Sequence, residues 1–528
     1  MQFAIRNPKF AMNEVPSATS PRWVSWLPWV VLASFTALWL TRWPFFPLFL
    51  DPYYHLLIAR QMLDAGGPIT YEWWEYAPVG RVHLYPPALH LILAGVLGAG
   101  VSPITAIRLV TWLLAPGVLL AIYLAMRRLV PRSVACACLL MALVPFSWVL
   151  QCSQALASGL ASIVLVWLMV SLHHHRWLAA ACLLGLLCYT HLGLPWVALA
   201  SIGWWLVLKA VPRHRALLWS VGGGLLIGLP WLWHVLSHRH LLQVVSRYEN
   251  KTIDIMIVLY AFAAIGLWRC ARATGALRLL LGLWLGFALM APRFLFRWLS
   301  GEGLLPVILL AGYGLAGVAK RLTRSRRQPA ARWAVIVGLS AVATLSPSVV
   351  FSEGTVQIAW PDSTPFHLVN WPATRHKGLD IHLYTQYTAR LAKTLIAVSQ
   401  PGEIFWSNAS YVGGLIATLA HRPMSSAMLY EVPPARPFDP IDAAQWIVWL
   451  KIGSFPGVPP LEEVIHRYRL TQVYEDEIAR VFRHPGAVRT ATAPRAALSW
   501  VIVFVLSCGF LGLVVWDLRG LPQGPAEE

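Results

Sequence analysis

The sequence predicts an α-helical polytopic membrane protein, with about twelve transmembrane helices and a small α/β extracytoplasmic domain before the last of them. Three observations carry this expectation. Hydrophobic residues make up 57% of the 528-residue chain, charged residues only 12%, and the mean hydropathy is +0.59, well beyond ordinary soluble composition. Apolar runs of spanning length recur along most of the chain. The formal charge of +19 is carried largely by short connectors between those runs rather than by a continuous basic face, so nucleic acid is not an expected partner and the lipid bilayer is.

The runs lie near 24–45, 104–125, 133–150, 155–172, 177–192, 194–210, 215–236, 253–268, 275–291, 302–319, 332–351 and 498–516. The first lacks a small-residue cleavage site and reads as a retained span. The basic connectors are "MRRLVPR" (126–132), "HHHR" (173–176), "KAVPRHR" (209–215), "RCARATG" (269–275) and "KRLTRSRRQPAAR" (320–332). If 86–100, "PPALHLILAGVLGAG", lies in the interface instead of spanning, all of these connectors fall on the cytoplasmic face. That choice divides the chain into a transmembrane domain, 1–352, with an external loop at 46–103, a soluble extracytoplasmic domain, 353–497, and a final helix with cytoplasmic tail, 498–528. The soluble stretch alternates β-prone runs with Gly and Asn, as in "GEIFWSNASYVGGLIATLAHRPMSS", which predicts a small α/β unit.

Most of the seven cysteines sit inside apolar runs and none forms a CxxC pair, so neither zinc nor a disulfide framework is expected. The histidines His173 to His175 adjoin Arg176 with no acidic or cysteine partner nearby, and read as part of a connector. The tripeptides "NKT" (250–252) and "NAS" (408–410) match the glycosylation acceptor pattern, a weak signal.

Unusual polar groups concentrate in the external loop, "DPYYHLLIARQMLDAGGPITYEWWEYAPVGRVHLYPPALH". Asp51 and His55, four apart, share one face if the segment is helical. Asp51 then either caps that helix, with Pro52 at its first position, or serves as a base toward a lipid-linked substrate. In the later loop "APRFLFRWLSGEG" (291–303), Arg293 and Arg297 are also four apart. They can hold an anionic leaving group or snorkel to the interface. His191, in "CYTHLGLPW" near the outer end of a span, is an ionisable group at membrane depth and a candidate cavity residue.

The external loop resembles the first external loop of oligosaccharyltransferase catalytic subunits. The matching elements are the aromatic-x-Asp-Pro-Tyr-Tyr-His start at 49–55, the acidic–aromatic patch at 72–76, Pro78-x-Gly80-Arg81, and Tyr85-Pro86-Pro87. Those subunits belong to the GT-C superfamily of membrane glycosyltransferases. The resemblance implies a GT-C-like fold and transfer of a sugar or oligosaccharide from a polyprenyl-phosphate-linked donor to an extracytoplasmic acceptor (protein, lipid or glycan). It implies catalysis by Asp51 with His55 and Glu75, and substrate binding by Arg81, His191, Arg293 and Arg297.

Two family features are altered. The second external loop carries an acidic pair in oligosaccharyltransferases and here reads "VLQCSQALASGLAS", without a carboxylate. The Trp-Trp-Asp-Tyr-Gly signature is reduced to "WSNASYVGG" at 406–414. No cofactor is therefore expected, and a divalent Mg²⁺ or Mn²⁺ ion is not favoured, since hard cations prefer several oxygen ligands and arginine can supply the charge instead. The alternative function is a non-catalytic membrane protein that binds or translocates lipid-linked sugar.

Overall fold

Each of the twelve apolar runs holds a helix, and two of them also hold a strand at one end. The computed structural model describes residues 22–47, 51–211, 215–243, 253–273, 275–323, 329–352, 355–359, 363–369, 386–428, 432–451, 458–486 and 490–522. The "NKT" tripeptide, 250–252, lies outside the described residues.

Helix α1 (Arg22–Leu40) precedes α2 (Asp51–Ala65), which opens the external loop. Strands β1 (Tyr71–Glu72) and β2 (Arg81–Val82) pair antiparallel within the loop, and α3 (Ala88–Gly98) closes it. Then come α4 (Pro103–Leu129), α5 (Arg132–Ala142), α6 (Phe146–Ser153), α7 (Ala157–His173), α8 (Trp177–Thr190), α9 (Leu194–Val207) and α10 (Arg215–Ser237). Strand β3 (Ile253–Met256) leads into α11 (Ile257–Arg272), followed by α12 (Leu277–Phe287), α13 (Leu295–Leu299), α14 (Leu304–Leu322) and α15 (Pro329–Leu345).

Among the described residues, four stretches are long and apolar enough to cross a membrane alone: α4, α10, Leu295–Leu322 and the last helix, Trp500–Leu518. Two bent pairs, α6 with α7 and α11 with α12, raise the number to six, and the remaining runs form shorter apolar helices. The chain is an integral membrane protein of polytopic form. Local chemistry sets the ends. Pro103 starts α4, where its missing N–H costs nothing, and Arg127 and Arg128 close it, favourably placed at the negative end of the helix dipole. The run 133–150, expected as one span, is instead divided at Pro145 between α5 and α6, because proline removes a helical hydrogen bond.

Strands β4 (Ser348–Ser352) and β5 (Thr355–Ala359) form with β3 an antiparallel sheet, in the order β3-β4-β5. This corrects two expected spans, 253–268 and 332–351, each of which has one end in a strand. The β-branched segments "IDI" and "SVV" favour extended backbone. Strand β5, beyond the expected boundary at 353, pairs with the strand following α15.

After α16 (Thr364–Val369) come α17 (Gln386–Val398), β6 (Phe405–Ser407), α18 (Ser410–Ala420), β7 (Trp446–Leu450), α19 (Leu461–Tyr468), β8 (Thr471–Glu475), β9 (Ala479–Arg483) and α20 (Trp500–Leu518). Their four-stranded sheet has the order β6-β7-β9-β8, parallel only at β6–β7. One face of this unit keeps its own buried cluster, with Ile447, Trp449, Val464 and Phe482, and the other packs on the loop. Tyr53, Leu56 and Leu57 of α2 join Phe405, Leu415 and Met428 in one buried cluster, so the external loop and the later domain bury each other's apolar surface.

Candidate active site

The external loop is locked by a buried polar network. Gly80, at φ +73, permits the close turn between β1 and β2; a Cβ there would stand 2.5 Å from Tyr71 Cε1 and 2.6 Å from the Glu72 carbonyl. The turn sets Arg81 between two glutamates. Arg81 Nε donates to Glu72 Oε2 at 2.7 Å, one Nη donates to Glu75, and the other donates to the Val432 carbonyl at 3.2 Å. The Tyr54 hydroxyl donates to Glu72 Oε1 at 2.6 Å, and His83 Nδ1 lies 2.7 Å from the same oxygen. Glu75 Oε1 accepts the Met428 backbone N–H at 2.6 Å. These bonds tie the loop to residues 424–432 of the later domain, aided by backbone pairing of Trp74 and Ala77 with Met424.

Burial would raise Glu72, but Arg81 and His83 outweigh it and hold its carboxyl well below the ordinary range. Glu75 goes the other way, because burial exceeds the help that Arg81 gives. One guanidinium thus stabilises one carboxylate fully and the other only in part.

The chemistry-bearing cavity lies beside this network. It has a volume of about 780 Å³ and is walled by Trp196, Trp231, Leu236, Leu289 and Phe296, from α9, α10, the segment after α12, and α13. Its size suits a bound small molecule, and its walls suit an apolar one. Asp51 is the only carboxylate lining it among the described residues; Arg239, Arg293, Arg297 and His191 also line it. Asp51 is open to the cavity but closely surrounded by protein, so burial raises its carboxyl, opposed by the Arg297 charge and its own backbone.

Arg297 Nη1 donates to Glu302 Oε1 at 3.0 Å, and His191 Nε2 stands 3.7 Å from that oxygen. His191 Nδ1 accepts N–H groups of Gly193 and Leu194 at 3.0 and 3.2 Å, which leaves Nε2 as the protonated nitrogen facing Glu302. Arg239 and Arg293 are exposed and make no ion pair among the described residues.

The structure therefore brings together Asp51, His191, Arg293 and Arg297 of the residues singled out from sequence. Three others stand apart from the cavity and are corrected. His55 is fully buried, with Nδ1 2.8 Å from His90 Nε2, and burial followed by His83 pushes its pKa down to about 3. Helical spacing did put it below Asp51, but one turn deeper, against α3. Glu75 is fully buried and Arg81 is 2% exposed, and neither lines this cavity; both hold the loop in place. Tyr85 is the connecting residue, since it lines the cavity and packs 4.8 Å from the His55 ring.

Sequence reasoning passed over Glu302, Arg239 and Tyr85. Glu302 had a readable signal, an acid directly before a span and only 6% exposed. Arg239 had none beyond its charge. Asn408, in the "NAS" tripeptide, is buried and exchanges hydrogen bonds with the backbone of Leu450 at 2.9 and 2.7 Å, so its amide serves packing.

Among the described residues, hydroxyls of the second loop are engaged in the protein's own hydrogen bonds. In the second loop the Ser158 hydroxyl donates to the Gln151 carbonyl at 2.8 Å and the Ser153 hydroxyl to Leu150 at 3.1 Å. Asp51 is left with a facing arginine in place of a second carboxylate, and Arg297 repels a cation at the same position. Among the described residues no three His, Cys, Asp or Glu side chains are grouped to hold a metal.

No family model matches the chain, and no curated protein is similar to it by sequence. Solved structures share its fold. The apo oligosaccharyltransferase of Archaeoglobus fulgidus superposes with a TM-score of 0.52 at 13% identity, over 80% of this chain and 69% of that one. ArnT from Cupriavidus metallidurans, bound to undecaprenyl phosphate, gives 0.50 at 15% identity, over 88% and 99%. The arabinofuranosyltransferase AftD from Mycobacteria gives 0.54 at 15% identity, over 90% of this chain and 40% of that one. The chain shares the fold of these membrane glycosyltransferases.

Proposed function

From that shared fold and the cavity's chemistry, we propose that the protein is a membrane glycosyltransferase that moves a sugar from a polyprenyl-phosphate donor to an acceptor outside the cytoplasm. One observation carries the reading: the cavity's single described carboxylate, Asp51, shares an apolar chamber with Arg239, Arg293 and Arg297. An anionic lipid headgroup with a hydrocarbon tail satisfies both halves of that chamber. The ArnT structure with undecaprenyl phosphate supports a lipid phosphate as the ligand class.

In the proposed step an acceptor hydroxyl or amide attacks the anomeric carbon of the donor. The new bond forms as the carbon–oxygen bond to phosphate breaks, and Asp51 takes the acceptor's proton. Its raised pKa makes it a stronger base than an exposed aspartate. The arginines stabilise the departing lipid phosphate, the group on which charge develops. Glu302 and His191 orient Arg297. The tail lies along Trp196, Trp231 and Leu236, where each buried CH₂ contributes about 0.8 kcal/mol.

The test is a screen of radiolabelled polyprenyl-phosphate sugars with the full-length protein in lipid nanodiscs, with cell-envelope extract as acceptor source. Release of polyprenyl phosphate with transfer of label supports the reading. Donor binding without turnover across the panel, matched by Asp51→Asn, overturns it in favour of a binding protein.

A further inference from the structure

The three-stranded sheet β3-β4-β5 is amphipathic in the inverted sense. Its register aligns Ile253, Phe351 and Val356 in one row and Ile255, Val349 and Ile358 in the next of the same face. Side chains alternate across a strand, and paired residues point to the same side, so those six apolar residues form a single face. The opposite face carries Asp254, Ser348, Ser352, Thr355 and Gln357.

In a soluble sheet with one covered face, the apolar face is the covered one. Here Ser348 is fully buried and Met256 3% exposed on the opposite face, which also carries Val350 and is exposed at Thr355 and Gln357 on the edge strand, while Phe351, Val356 and Ile358 on the apolar face are 39%, 64% and 73% exposed. The Asp254 N–H donates to the Ser300 hydroxyl at 3.2 Å, which sets this strand against the segment after α13. A contiguous apolar face turned outward marks a surface that water does not cover.

Its neighbours identify the covering. Strand β3 runs directly into α11, and two residues separate the end of α15 from the start of β4. Both helices are apolar and expose hydrophobic side chains next to the sheet, Ile257 at 46% on α11 and Leu345 at 60% on α15. The lipid-facing surface of the two helices thus continues onto the sheet without a polar gap at these positions. Ile253 belongs to the same face and also lines the cavity.

We propose that the apolar face of this sheet rests in the acyl-chain boundary of the bilayer, on the side where the cavity opens. The sheet is then an interfacial membrane anchor, comparable in depth to an amphipathic helix lying in the interface plane. Its edge at Ile253 makes it a lip of the cavity. This inference depends on the membrane helices and not on the transferase reading.

Spin labels test it in full-length protein reconstituted into phosphatidylethanolamine–phosphatidylglycerol vesicles. Val356→Cys, Ile358→Cys and Gln357→Cys are made with Cys508→Ser, since Cys508 is the exposed cysteine among the seven. Labels at 356 and 358 are expected to collide severalfold more with oxygen, relative to a water-soluble nickel chelate, than the label at 357. Equal, water-like accessibility at all three positions overturns the proposal. Immobilised labels at 356 and 358 that meet neither reagent overturn it too, and assign the face to a protein surface, from this chain or a second copy. Wild-type protein gives an independent readout through a photoactivated diazirine phospholipid. Label on peptide 348–359 is expected, and its absence while α11 and α15 are labelled refutes the anchor.

Discussion

Replacing Arg81 by Met separates the two roles open to an arginine beside a phosphate-binding cavity. The structure gives Arg81 a positioning role: 2% exposed, it holds Glu72, Glu75 and the Val432 carbonyl. Removing the guanidinium leaves the Glu72 carboxylate with Tyr54 and His83 only, and cuts one tie between the loop and the later domain. Breaking a buried ion pair from one side costs about 3–5 kcal/mol. Glu75 adds less than a full charge would, because burial already favours its neutral form. The lower end, about 3 kcal/mol, is therefore expected. Arg293→Met is the contrast, since Arg293 is exposed and unpaired among the described residues. Its loss should leave stability unchanged and weaken binding of polyprenyl phosphate about tenfold or more, the worth of one charge-assisted hydrogen bond. Thermal unfolding followed by the fluorescence of the 28 tryptophans, alongside binding of labelled polyprenyl phosphate, reads both effects. Arg81→Met with an unaltered transition and lost lipid-phosphate binding would refute the positioning role and make Arg81 a ligand.

Three other outcomes are expected. Asp51→Asn should fold normally and lose at least about 10²-fold in transfer rate. Because burial raises the Asp51 carboxyl, wild-type activity should fall, as pH drops, at a pH above the ordinary carboxylate range; near-normal turnover by the Asn variant refutes the base. Transfer should survive exhaustive EDTA treatment; loss on chelation with full recovery on Mn²⁺ would bring carboxylates elsewhere into play, with Asp64, Glu72 and Glu249 the first to replace. In intact cells carrying Cys508→Ser, an impermeant thiol reagent should label Glu463→Cys in the later domain and spare His175→Cys in a basic connector. The reverse pattern inverts the topology.

Much of the helical order was legible, because apolar runs and basic connectors are signals of composition. What sequence could not give was depth. Asp51 and His55 lie four apart on one helix, yet one opens to the cavity and the other is sealed against His90. Spacing gives the face of a helix, whereas tertiary packing decides which turn of that face meets solvent. Glu75 and Arg81 carried charges that looked available for chemistry. Their partners, Met428 and Val432, lie more than 340 residues away, and no local pattern announces such a pairing. The strands β3 and β4 were hidden for another reason. A β-branched apolar segment adjoining a span extends the hydropathy of that span, and hydropathy alone does not mark where helix gives way to strand.

The positions of acid and base also explain why the network is so heavily buried. Asp51 begins α2, whose inner residues belong to the cluster shared with the later domain, including Leu415 and Met428. Arg293 and Arg297 follow α12, whose Leu283 and Phe287 belong to the separate, larger cluster of the transmembrane helices. The two sides of the cavity are thus carried by different hydrophobic cores. A separation between proton acceptor and phosphate ligands set across such a boundary is only as fixed as each core's own anchoring, and misplacement of about 1 Å can cost 10²-fold in rate. The Glu72–Arg81–Glu75 lock fixes one side, through the loop that α2 opens. The Arg297–Glu302–His191 chain fixes the other, by tying a half-exposed arginine to a buried acid at the start of α14. Under the proposed mechanism the charge facing Asp51 comes from a guanidinium already held by its own acid, in place of second-loop carboxylates, and transfer is expected to proceed without an added ion.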